Sequence, residues 1–301
     1  MDENNSIVLV TGANGFIGQH VVRKLKKDYE VHAVVRNPVD FPELGVVYHE
    51  VNLAENWDST LLPYNTKHVI HLAQSKRYRD FPSGAEDMRC VNIDSTAKLL
   101  DWALVNGVES FTFASTANVY GKVDGLISED HSPVPDSYYG ASKLAAEHLV
   151  QQYRSYFRAN ILRLFTVYGP MQKRMLIANI IDSIKNGKEI TLAQGKGIYL
   201  TPVYVDDVVH IVKQLISSYG GSKSSYLLNV CGESVVSLTQ IVGIVEGILG
   251  VTAKKMATDG AVSSLTGYNG ELRRVLSECQ LVDIESGLER TLHFQSRRGM
   301  S

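Results

Sequence analysis

A tyrosine and a lysine stand four residues apart in the segment Tyr139-Gly-Ala-Ser-Lys143. The segment opens a stretch of helical period, and residues four apart share one face of a helix, so the lysine ammonium can lie beside the phenol. At about 4 Å and an effective dielectric constant near 20 the attraction is about 4 kcal/mol, enough at most to lower a phenol pKa from ~10 towards ~7. The pair therefore predicts a tyrosine that exchanges protons near neutral pH.

Two hydroxyl side chains follow a predicted strand, in the segment Phe113-Ala114-Ser115-Thr116-Ala117-Asn118-Val119-Tyr120-Gly121. The carboxyl ends of strands form the edge at which open α/β sheets bind ligands. Ser115 or Thr116 can therefore hydrogen-bond a substrate oxygen. The alternative is that these hydroxyls only cap the backbone of their own loop.

Three glycines stand in the segment Thr11-Gly12-Ala13-Asn14-Gly15-Phe16-Ile17-Gly18, between a predicted strand and a predicted helix. Residues without Cβ allow a sharp turn, a close approach of phosphates and tight packing of the helix on the strand. A dinucleotide diphosphate would meet the helix N-terminus there. The spacing predicts a dinucleotide-binding turn, and the alternative is a tight turn without a ligand.

Arg36 follows the second predicted strand, in Val34-Val35-Arg36-Asn37-Pro38. A carboxylate at this position would bond the ribose hydroxyls of NAD, whereas a guanidinium can bind the 2′-phosphate of NADP with paired hydrogen bonds. The residue therefore favours NADP(H), with NAD(H) as the other choice. The alternative is an exposed turn arginine without a ligand.

Apolar runs of strand length alternate with segments of helical period in the first half of the chain. Near-continuous apolar strands suit a parallel sheet covered on both faces, and their alternation with helices indicates βαβ units in a doubly wound α/β fold. The predicted strands are Ile7–Val10, Val31–Val35, Val46–Val51, Val69–Ala73, Phe111–Ala114 and Asn160–Leu164, and the predicted helices are Phe16–Lys27, Ala85–Asn106 and Tyr139–Phe157.

Shorter elements follow after Pro170. We predict a cofactor-binding domain over residues 1–170 and a smaller C-terminal α/β substrate-binding region over residues 171–301, with the chain free to cross between them. The predicted elements of the second region are helices near Met175–Asn186, from Asp206 and over Leu238–Leu249, and strands at Glu189–Leu192, Val203–Val205 and Tyr226–Val230.

The composition argues against several classes of protein. The 301 residues carry 30 Lys and Arg against 32 Asp and Glu, whereas a general nucleic-acid binder is more basic. The longest stretches without charge, Ser110–Gly121 and Ser234–Val245, fall short of the roughly 20 apolar residues that cross a bilayer. The N-terminus lacks an export signal, so we expect a cytoplasmic location. No metal site is expected, because the three cysteines lie far apart and His68 and His71 point to opposite faces of a strand.

Taken together, these segments resemble the extended short-chain dehydrogenase/reductase family, and within it the nucleotide-sugar epimerases, dehydratases and ketoreductases. The likeness spans nearly the whole chain and implies a Rossmann-type domain with a C-terminal substrate domain. It rests on the glycine turn, His71-Leu72-Ala73, Asn92, the Ser-Thr-x-x-Val-Tyr-Gly loop, Tyr139 with Lys143, Leu162-Arg163-Leu164-Phe165-Thr166-Val167-Tyr168-Gly169-Pro170 and Val203-Tyr204-Val205-Asp206-Asp207-Val208.

The resemblance implies roles for individual residues. Thr116 matches the family's catalytic Ser/Thr, Tyr139 its acid/base, and Lys143 the lysine that also holds the nicotinamide ribose. The implied cofactor-binding residues are Gly12, Asn14, Gly15, Phe16, Ile17, Arg36, Asn52, Leu53, Leu72, Ala73, Asn92, Tyr139 and Lys143. The implied substrate-binding residues are Ser75, Thr116, Thr166 and Tyr204.

The chain departs from the family pattern at several positions. Sugar 4,6-dehydratases carry Thr-Asp-Glu where this chain has Thr116-Ala117-Asn118, which disfavours dehydration. Thr166 and Met171 stand where many relatives have Asn and Arg, and Leu200 stands where an arginine often binds the diphosphate. Asn52-Leu53 replaces the usual Asp-Leu that touches adenine, and an Asn can still form a hydrogen bond there.

These residues favour hydride transfer at C4 of a nucleotide-activated sugar, with NADPH-dependent 4-ketoreduction as the leading hypothesis and Tyr139 as proton donor. Three alternatives stay open: a 4-epimerase with a tightly held cofactor, a reductase of a non-sugar carbonyl, and a non-catalytic NADP-sensing protein. By analogy with the family, the helices Ala85–Asn106 and Tyr139–Phe157 would form the contact of a homodimer.

Overall fold

The computed structural model describes residues 6–217, 224–277 and 280–298. In these ranges the strands are β1 (Ile7–Thr11), β2 (Glu30–Val35), β3 (Val46–Glu50), β4 (Thr66–His71), β5 (Ser110–Thr116), β6 (Leu126–Ile127), β7 (Arg158–Leu164), β8 (Val167–Tyr168), β9 (Ile190–Ala193), β10 (Tyr199–Leu200), β11 (Val203–Tyr204), β12 (Leu227–Val230), β13 (Val236–Ser237), β14 (Lys255–Thr258) and β15 (Ser264–Gly267). The helices are α1 (Phe16–Leu25), α2 (Ala85–Arg89), α3 (Ser95–Val105), α4 (Tyr138–Gln152), α5 (Leu176–Lys185), α6 (Val205–Ser217), α7 (Leu238–Leu249), α8 (Gly270–Val275) and α9 (Ile284–Arg298).

A seven-stranded sheet organises the first part of the described chain, with the strand order β12-β7-β5-β4-β1-β2-β3. β1 pairs in parallel with both β2 and β4, and the pairings of β2 with β3 and of β4 with β5 are also parallel. The strand order reverses between β1 and β4, so the carboxyl ends of these two strands form the topological switch point. This arrangement confirms the predicted Rossmann-type doubly wound sheet.

Burial on both faces explains why the central strands are so apolar. Val8, Leu9 and Val10 of β1 are fully buried, since helices cover both sides of a doubly wound sheet. α1 buries a single stripe that includes Val21 and Leu25, as its helical period predicts. The sheet is therefore a rigid frame that places the loops at its carboxyl edge.

The described residues divide into two compact units. The first comprises those of Met1–Lys122, His131–Arg163 and Val209–Leu228, and the second those of Val123–Asp130, Leu164–Val208 and Asn229–Ser301. Within the second unit a small sheet has the order β13-β10-β15-β6. Apolar side chains of α5, α7 and α9 belong to the hydrophobic core of this unit. The chain thus passes between the units more than once. The assignment of cofactor binding to residues 1–170 and of substrate binding to residues 171–301 stays a prediction.

A π-helical segment, Cys90–Asp94, lies between α2 and α3, where the sequence pattern predicts one α-helix over Ala85–Asn106. Side chains compete here for backbone carbonyls: Ser95 Oγ donates to the Val91 carbonyl at 2.6 Å and Thr96 Oγ1 to the Asn92 carbonyl at 2.8 Å. Such bonds favour a locally wider helical turn. Apolar periodicity does not report this distortion.

α4 ends at Gln152, although the pattern predicts a helix to Phe157. Tyr153 follows the helix, with its hydroxyl donating to Asp101 at 2.5 Å and its ring stacked on Phe157 at a centroid distance of 5.6 Å. Side-chain packing therefore replaces the last helical turn. Across the three described ranges, the helices are all too short or too polar to span a membrane.

Candidate active site

The glycine turn lies at the switch point between β1 and α1. Gly12 has φ +65°, and a Cβ at this position would come within 2.8 Å of the Ala73 backbone nitrogen. The Gly15 N–H donates to the Gly12 carbonyl at 2.9 Å, which closes the turn directly before α1. The backbone conformation and the close approach of the strand β4 end therefore both require glycine at residue 12.

The first turn of α1 fits the diphosphate of a dinucleotide. Gly15 is its N-cap, it provides no side-chain cap, and the first turn carries no acidic residue. Asn14 and Gly15 are exposed, whereas Phe16 and Ile17 are half-buried. Backbone N–H groups at a helix N-terminus without a competing carboxylate favour an anion.

The other predicted cofactor residues lie at the carboxyl ends of their strands. Leu72 and Ala73 follow β4. The Leu72 N–H donates to the Thr11 carbonyl at 3.3 Å, and the Ala73 N–H donates to the Thr11 hydroxyl at 3.2 Å. Arg36 is exposed directly after β2. This edge is the one at which a dinucleotide binds in open α/β sheets.

Asn52 and Leu53 follow β3 through Val51, at the same edge of the sheet. The Asn52 amide is engaged locally: its oxygen accepts from the Ala54 N–H at 3.2 Å and its nitrogen donates to Glu55 at 2.5 Å. Leu53 is buried. The adenine contact proposed for this pair stays a prediction.

Asn92 and Ser75 are buried, and their side chains are hydrogen-bonded within the protein. Asn92 accepts the Ser75 N–H at 3.0 Å and donates to Ser142 Oγ at 2.9 Å, which in turn donates to the Tyr139 carbonyl at 2.8 Å. The Ser75 hydroxyl donates to Asp87. The observed bonds tie the π-helical segment to α4, and the ligand roles of both residues stay predictions.

Tyr139 lies in the first turn of α4, whose N-cap Ser137 accepts the Gly140 N–H at 3.1 Å. Its hydroxyl donates to Gln74 Oε1 at 2.7 Å and also shares a side-chain hydrogen bond with Thr116. Its ring lies 5.3 Å from the ring of Tyr78. The structure thus brings Thr116, at the end of β5, to the predicted acid/base tyrosine.

The expectation that Lys143 lowers the phenol pKa is wrong for this structure. Burial raises the pKa of Tyr139 above its usual value, and the hydrogen bond with Thr116 offsets only part of that effect. Desolvation disfavours the phenolate more strongly than nearby groups favour it. The phenol is therefore held as a proton donor.

Lys143 lies one turn further along α4 and is buried, with a relative exposure of 1%. Its Nζ is 4.1 Å from the centroid of the Phe113 ring. Burial lowers the pKa of Lys143 to about 7, against an opposing effect of Glu147. This lysine, rather than the tyrosine, changes its charge near neutral pH.

Sequence reasoning missed Gln74 and Tyr78, which contact the tyrosine. Gln74 follows His71-Leu72-Ala73 directly, so its place at the carboxyl edge was a usable signal. Tyr78 carried no such signal, because its contact with Tyr139 depends on the path of the loop after β4.

Thr166 and Tyr204, predicted to bind substrate, belong to the second unit. The Thr166 carbonyl accepts the Val203 N–H at 2.9 Å. The ring of Tyr204 is buried and lies edge-to-face on Tyr168 at 5.6 Å, and burial raises the pKa of Tyr204 to about 12. Their contact with a substrate stays a prediction.

His68 and His71, which are close in sequence, form hydrogen bonds with different buried partners. His68 Nδ1 is hydrogen-bonded to Ser110 at 2.8 Å, and His71 lies between Thr11 at 2.6 Å and Thr96 at 2.9 Å. Burial lowers the pKa of His71 to about 3, so the ring is neutral. Among the described residues, no group of three or more His, Cys, Asp and Glu side chains could hold a metal ion, and Cys279 lies outside those residues.

Comparison with known proteins agrees with this geometry. Residues 8–231 match the NAD dependent epimerase/dehydratase family. The protein named Uncharacterized UDP-glucose epimerase YtcB, of Bacillus subtilis (strain 168), is 27% identical over 312 residues, which cover 96% of this chain and 98% of the relative. UDP-glucuronate 4-epimerase 1 of Arabidopsis thaliana is 28% identical over 325 residues, which cover 95% of this chain and 76% of the relative.

Solved structures show the same likeness. UDP-glucuronic acid 4-epimerase from Bacillus cereus, in complex with UDP-glucuronic acid and NAD, superposes with a TM-score of 0.86 at 26% sequence identity. The superposition covers 97% of this chain and 99% of that one. The likeness therefore extends over both units and is not confined to the glycine turn.

Proposed function

Because the chain belongs to the NAD dependent epimerase/dehydratase family and is an enzyme of the extended short-chain dehydrogenase/reductase type, we propose that it interconverts the two C4 epimers of a UDP-sugar with NAD as cofactor. The observation that carries the proposal is the position of Tyr139. Its hydroxyl is hydrogen-bonded to Thr116 and lies one helical turn from the buried Lys143.

The proposed role of the side chains in this site is to transfer one proton to and from the sugar. The C4 hydroxyl of the sugar gives its proton to Tyr139 Oη, the same atom returns a proton when the hydroxyl is formed again, and Thr116 holds the sugar oxygen during both transfers. Because burial holds Tyr139 as a phenol, Oη must first release its own proton, so the first transfer is proposed to start from the phenolate form. A bound NAD would supply the hydride acceptor and donor for C4, and return of the hydride to the opposite face of the sugar would invert C4 without net consumption of the coenzyme.

The glycine turn, the end of β4 and Lys143 would hold this cofactor. The exposed Asn14 and Gly15 at the N-terminus of α1 suit its diphosphate, and the buried ammonium of Lys143 suits a ribose hydroxyl. The position of these groups along one edge of the sheet supports the assignment.

The relatives favour epimerisation over the ketoreduction that the sequence alone favoured. The named relatives are a UDP-glucose epimerase and a UDP-glucuronate 4-epimerase. Family membership and the retained Thr116, Tyr139 and Lys143 argue against a non-catalytic sensor, and the sugar-nucleotide relatives argue against a non-sugar carbonyl substrate. A cytoplasmic location stays a prediction.

The reaction is tested by incubating the chain and NAD with UDP-glucuronate and with UDP-glucose in separate assays. We expect one of these sugars to approach an equilibrium mixture with its C4 epimer, and the same mixture to form from the opposite epimer. Free NADH should not accumulate. In a second assay that supplies NAD(P)H and a UDP-4-keto sugar, consumption of one NAD(P)H for each keto sugar reduced, without epimerisation in the first assay, would show a ketoreductase instead.

We propose NAD rather than NADP as the cofactor. The corresponding prediction is the effect of replacing Arg36 on coenzyme affinity. The Bacillus cereus neighbour was solved with NAD, and Arg36 is exposed after β2. Arg36→Ala is expected to change NAD affinity by less than about twofold, because NAD lacks the 2′-phosphate to which a guanidinium would make a charged hydrogen bond. The measurement is titration calorimetry with NAD and with NADP.

The matched control for this prediction is Arg274→Ala in α8, another exposed arginine. It should change neither affinity. Tight NADP binding that falls about tenfold or more in Arg36→Ala alone would restore the 2′-phosphate role of Arg36.

We further propose a homodimer in which the helical segment from α2 to α3 and the helix α4 face their copies, as the family resemblance implies. Light scattering at several concentrations should give twice the mass of the chain. A monomer at all concentrations would contradict this assembly.

A further inference from the structure

α4 carries three ionisable side chains at intervals of four residues: Tyr139, Lys143 and Glu147. Such residues lie along one face of a helix. Lys143 and Glu147 are both buried, with relative exposures of 1% and 0%. The face that presents the phenol therefore continues into the protein as a lysine followed by a carboxylate.

Glu147 is held by side chains from two strands of the sheet. Arg163 of β7 donates from Nε to Glu147 Oε1 at 3.1 Å and from Nη2 to Oε2 at 2.7 Å. Ser115 of β5 donates its hydroxyl to Oε1. The Arg163 guanidinium also lies 4.6 Å from the centroid of the Tyr120 ring. A buried ion pair of this kind needs such additional bonds to offset its desolvation, and its geometry is correspondingly restricted.

Two neighbours of Glu147, Ser115 and Lys143, connect it to the candidate site. Ser115 directly precedes Thr116, so the bond from Ser115 to Glu147 ties the end of β5 to α4. Lys143 lies one turn before Glu147, and the negative charge of Glu147 opposes the loss of its proton. Arg163 neither binds the phenol nor the lysine in the observed contacts, and it fixes the carboxylate.

We propose that Glu147, fixed by Arg163, is a positioning residue that retains the proton on Lys143 Nζ and holds the Ser115–Thr116 strand end against α4. The part that concerns turnover rests on the proposed function. The part that concerns the lysine proton does not, because it can be measured on the chain without a substrate.

Several other titratable groups lie on the elements packed against α4. His71 on β4 is neutral, since burial lowers its pKa to about 3. Burial and Glu147 are the effects that determine the pKa of Lys143. The other titratable side chains on these elements are Lys67 and His68 of β4, Glu86, Asp87 and Arg89 of α2, Cys90 and Asp94 of the π-helical segment, and Lys98 and Asp101 of α3.

The test is an NMR titration of the full chain labelled with ¹³C at the lysine ε-carbon, in which the Lys143 signal is the one lost in Lys143→Arg. The parent signal should titrate near pH 7. In Glu147→Gln the midpoint should fall by roughly one pH unit or more, the size expected for removal of a nearby opposite charge. The matched control is Glu246→Gln in α7, which removes a carboxylate that accepts a hydrogen bond from Lys255 of β14 and should leave the midpoint unchanged.

Glu147→Gln leaves the buried Arg163 charge without its partner and can fail to fold. The double variant Glu147→Gln with Arg163→Gln removes both charges and keeps two amides that can bond each other. The same downward shift in either folded variant supports the proposal. An unchanged midpoint in a folded variant overturns the role of Glu147 towards Lys143.

Ser115→Ala separates the second role from the first, since it keeps the ion pair. We expect the Lys143 midpoint to stay at its parental value and kcat to fall by about tenfold or more, because Thr116 is less well positioned. An unchanged kcat overturns the role of Glu147 at the strand end. If the parent converts no UDP-sugar, the proposed function fails, and the lysine titration still decides the role of Glu147.

Discussion

Tyr139→Phe is expected to abolish measurable epimerisation, with a loss of about 10²–10⁴-fold from the missing proton transfer alone. The substitution removes one oxygen, the atom that donates to Gln74 at 2.7 Å and is bonded to Thr116. The ring and its contact with Tyr78 remain, so the first turn of α4 should keep its shape. NAD affinity should therefore stay within about fivefold of the parent, because a hydrogen bond from one neutral group is worth only about 1 kcal/mol.

The measurement combines kcat for the UDP-sugar with calorimetric titration of NAD. Tyr138→Phe is the matched control, since Tyr138 is the preceding residue of α4 and its ring stacks on Phe81 at 5.2 Å. It should retain parental turnover. A Tyr139→Phe variant that turns over at the parental rate would remove the acid/base role of Tyr139.

Gly18→Ala is expected to destabilise the first unit and to weaken NAD binding, although alanine is the better helix former. A Cβ at Gly18, within α1, would lie 2.2 Å from the Gly12 carbonyl oxygen. The clash is with backbone, so the glycine turn must move. Overpacking of this kind costs roughly 1–3 kcal/mol of unfolding free energy. The displaced turn is the one proposed to hold the diphosphate.

The comparison for Gly18→Ala is Gly247→Ala in α7. A Cβ at Gly247 would meet nothing within 4 Å, so this change should stabilise the chain by roughly 0.5–1 kcal/mol through the helix propensity of alanine. The measurements are the thermal stability and the NAD affinity of both variants, each compared with the parent. Equal stabilisation by the two substitutions, with parental NAD affinity, would show that the tight approach of α1 to Gly12 is unimportant.

Local chemistry made part of the site predictable. The glycine turn could be predicted from three glycines spaced between a strand and a helix, and the Tyr139 and Lys143 pair from helical spacing that places them on one face. The alternation of apolar strands with helices likewise predicted the doubly wound sheet.

Partners distant in sequence were not predictable in this way. Gln74 and Tyr139 are 65 residues apart, and Ser115 and Glu147 are 32 apart. Their contacts depend on the packing of α4 against the strand ends. The bonds of the Asn92 side chain with Ser75 and Ser142 likewise join residues of different elements.

The amino-acid sequence by itself determined the fold class, through its apolar period. It also predicted the dinucleotide turn from residues without Cβ and the Tyr139 and Lys143 pair from their spacing, and the family resemblance implied the role of Thr116. Tertiary structure alone decided the protonation of the site. Burial raises the pKa of Tyr139 and lowers that of Lys143 to about 7, the reverse of the expectation that the lysine tunes the phenol. The physical reason is desolvation, which depends on everything that packs around a group and cannot be read from spacing along one helix.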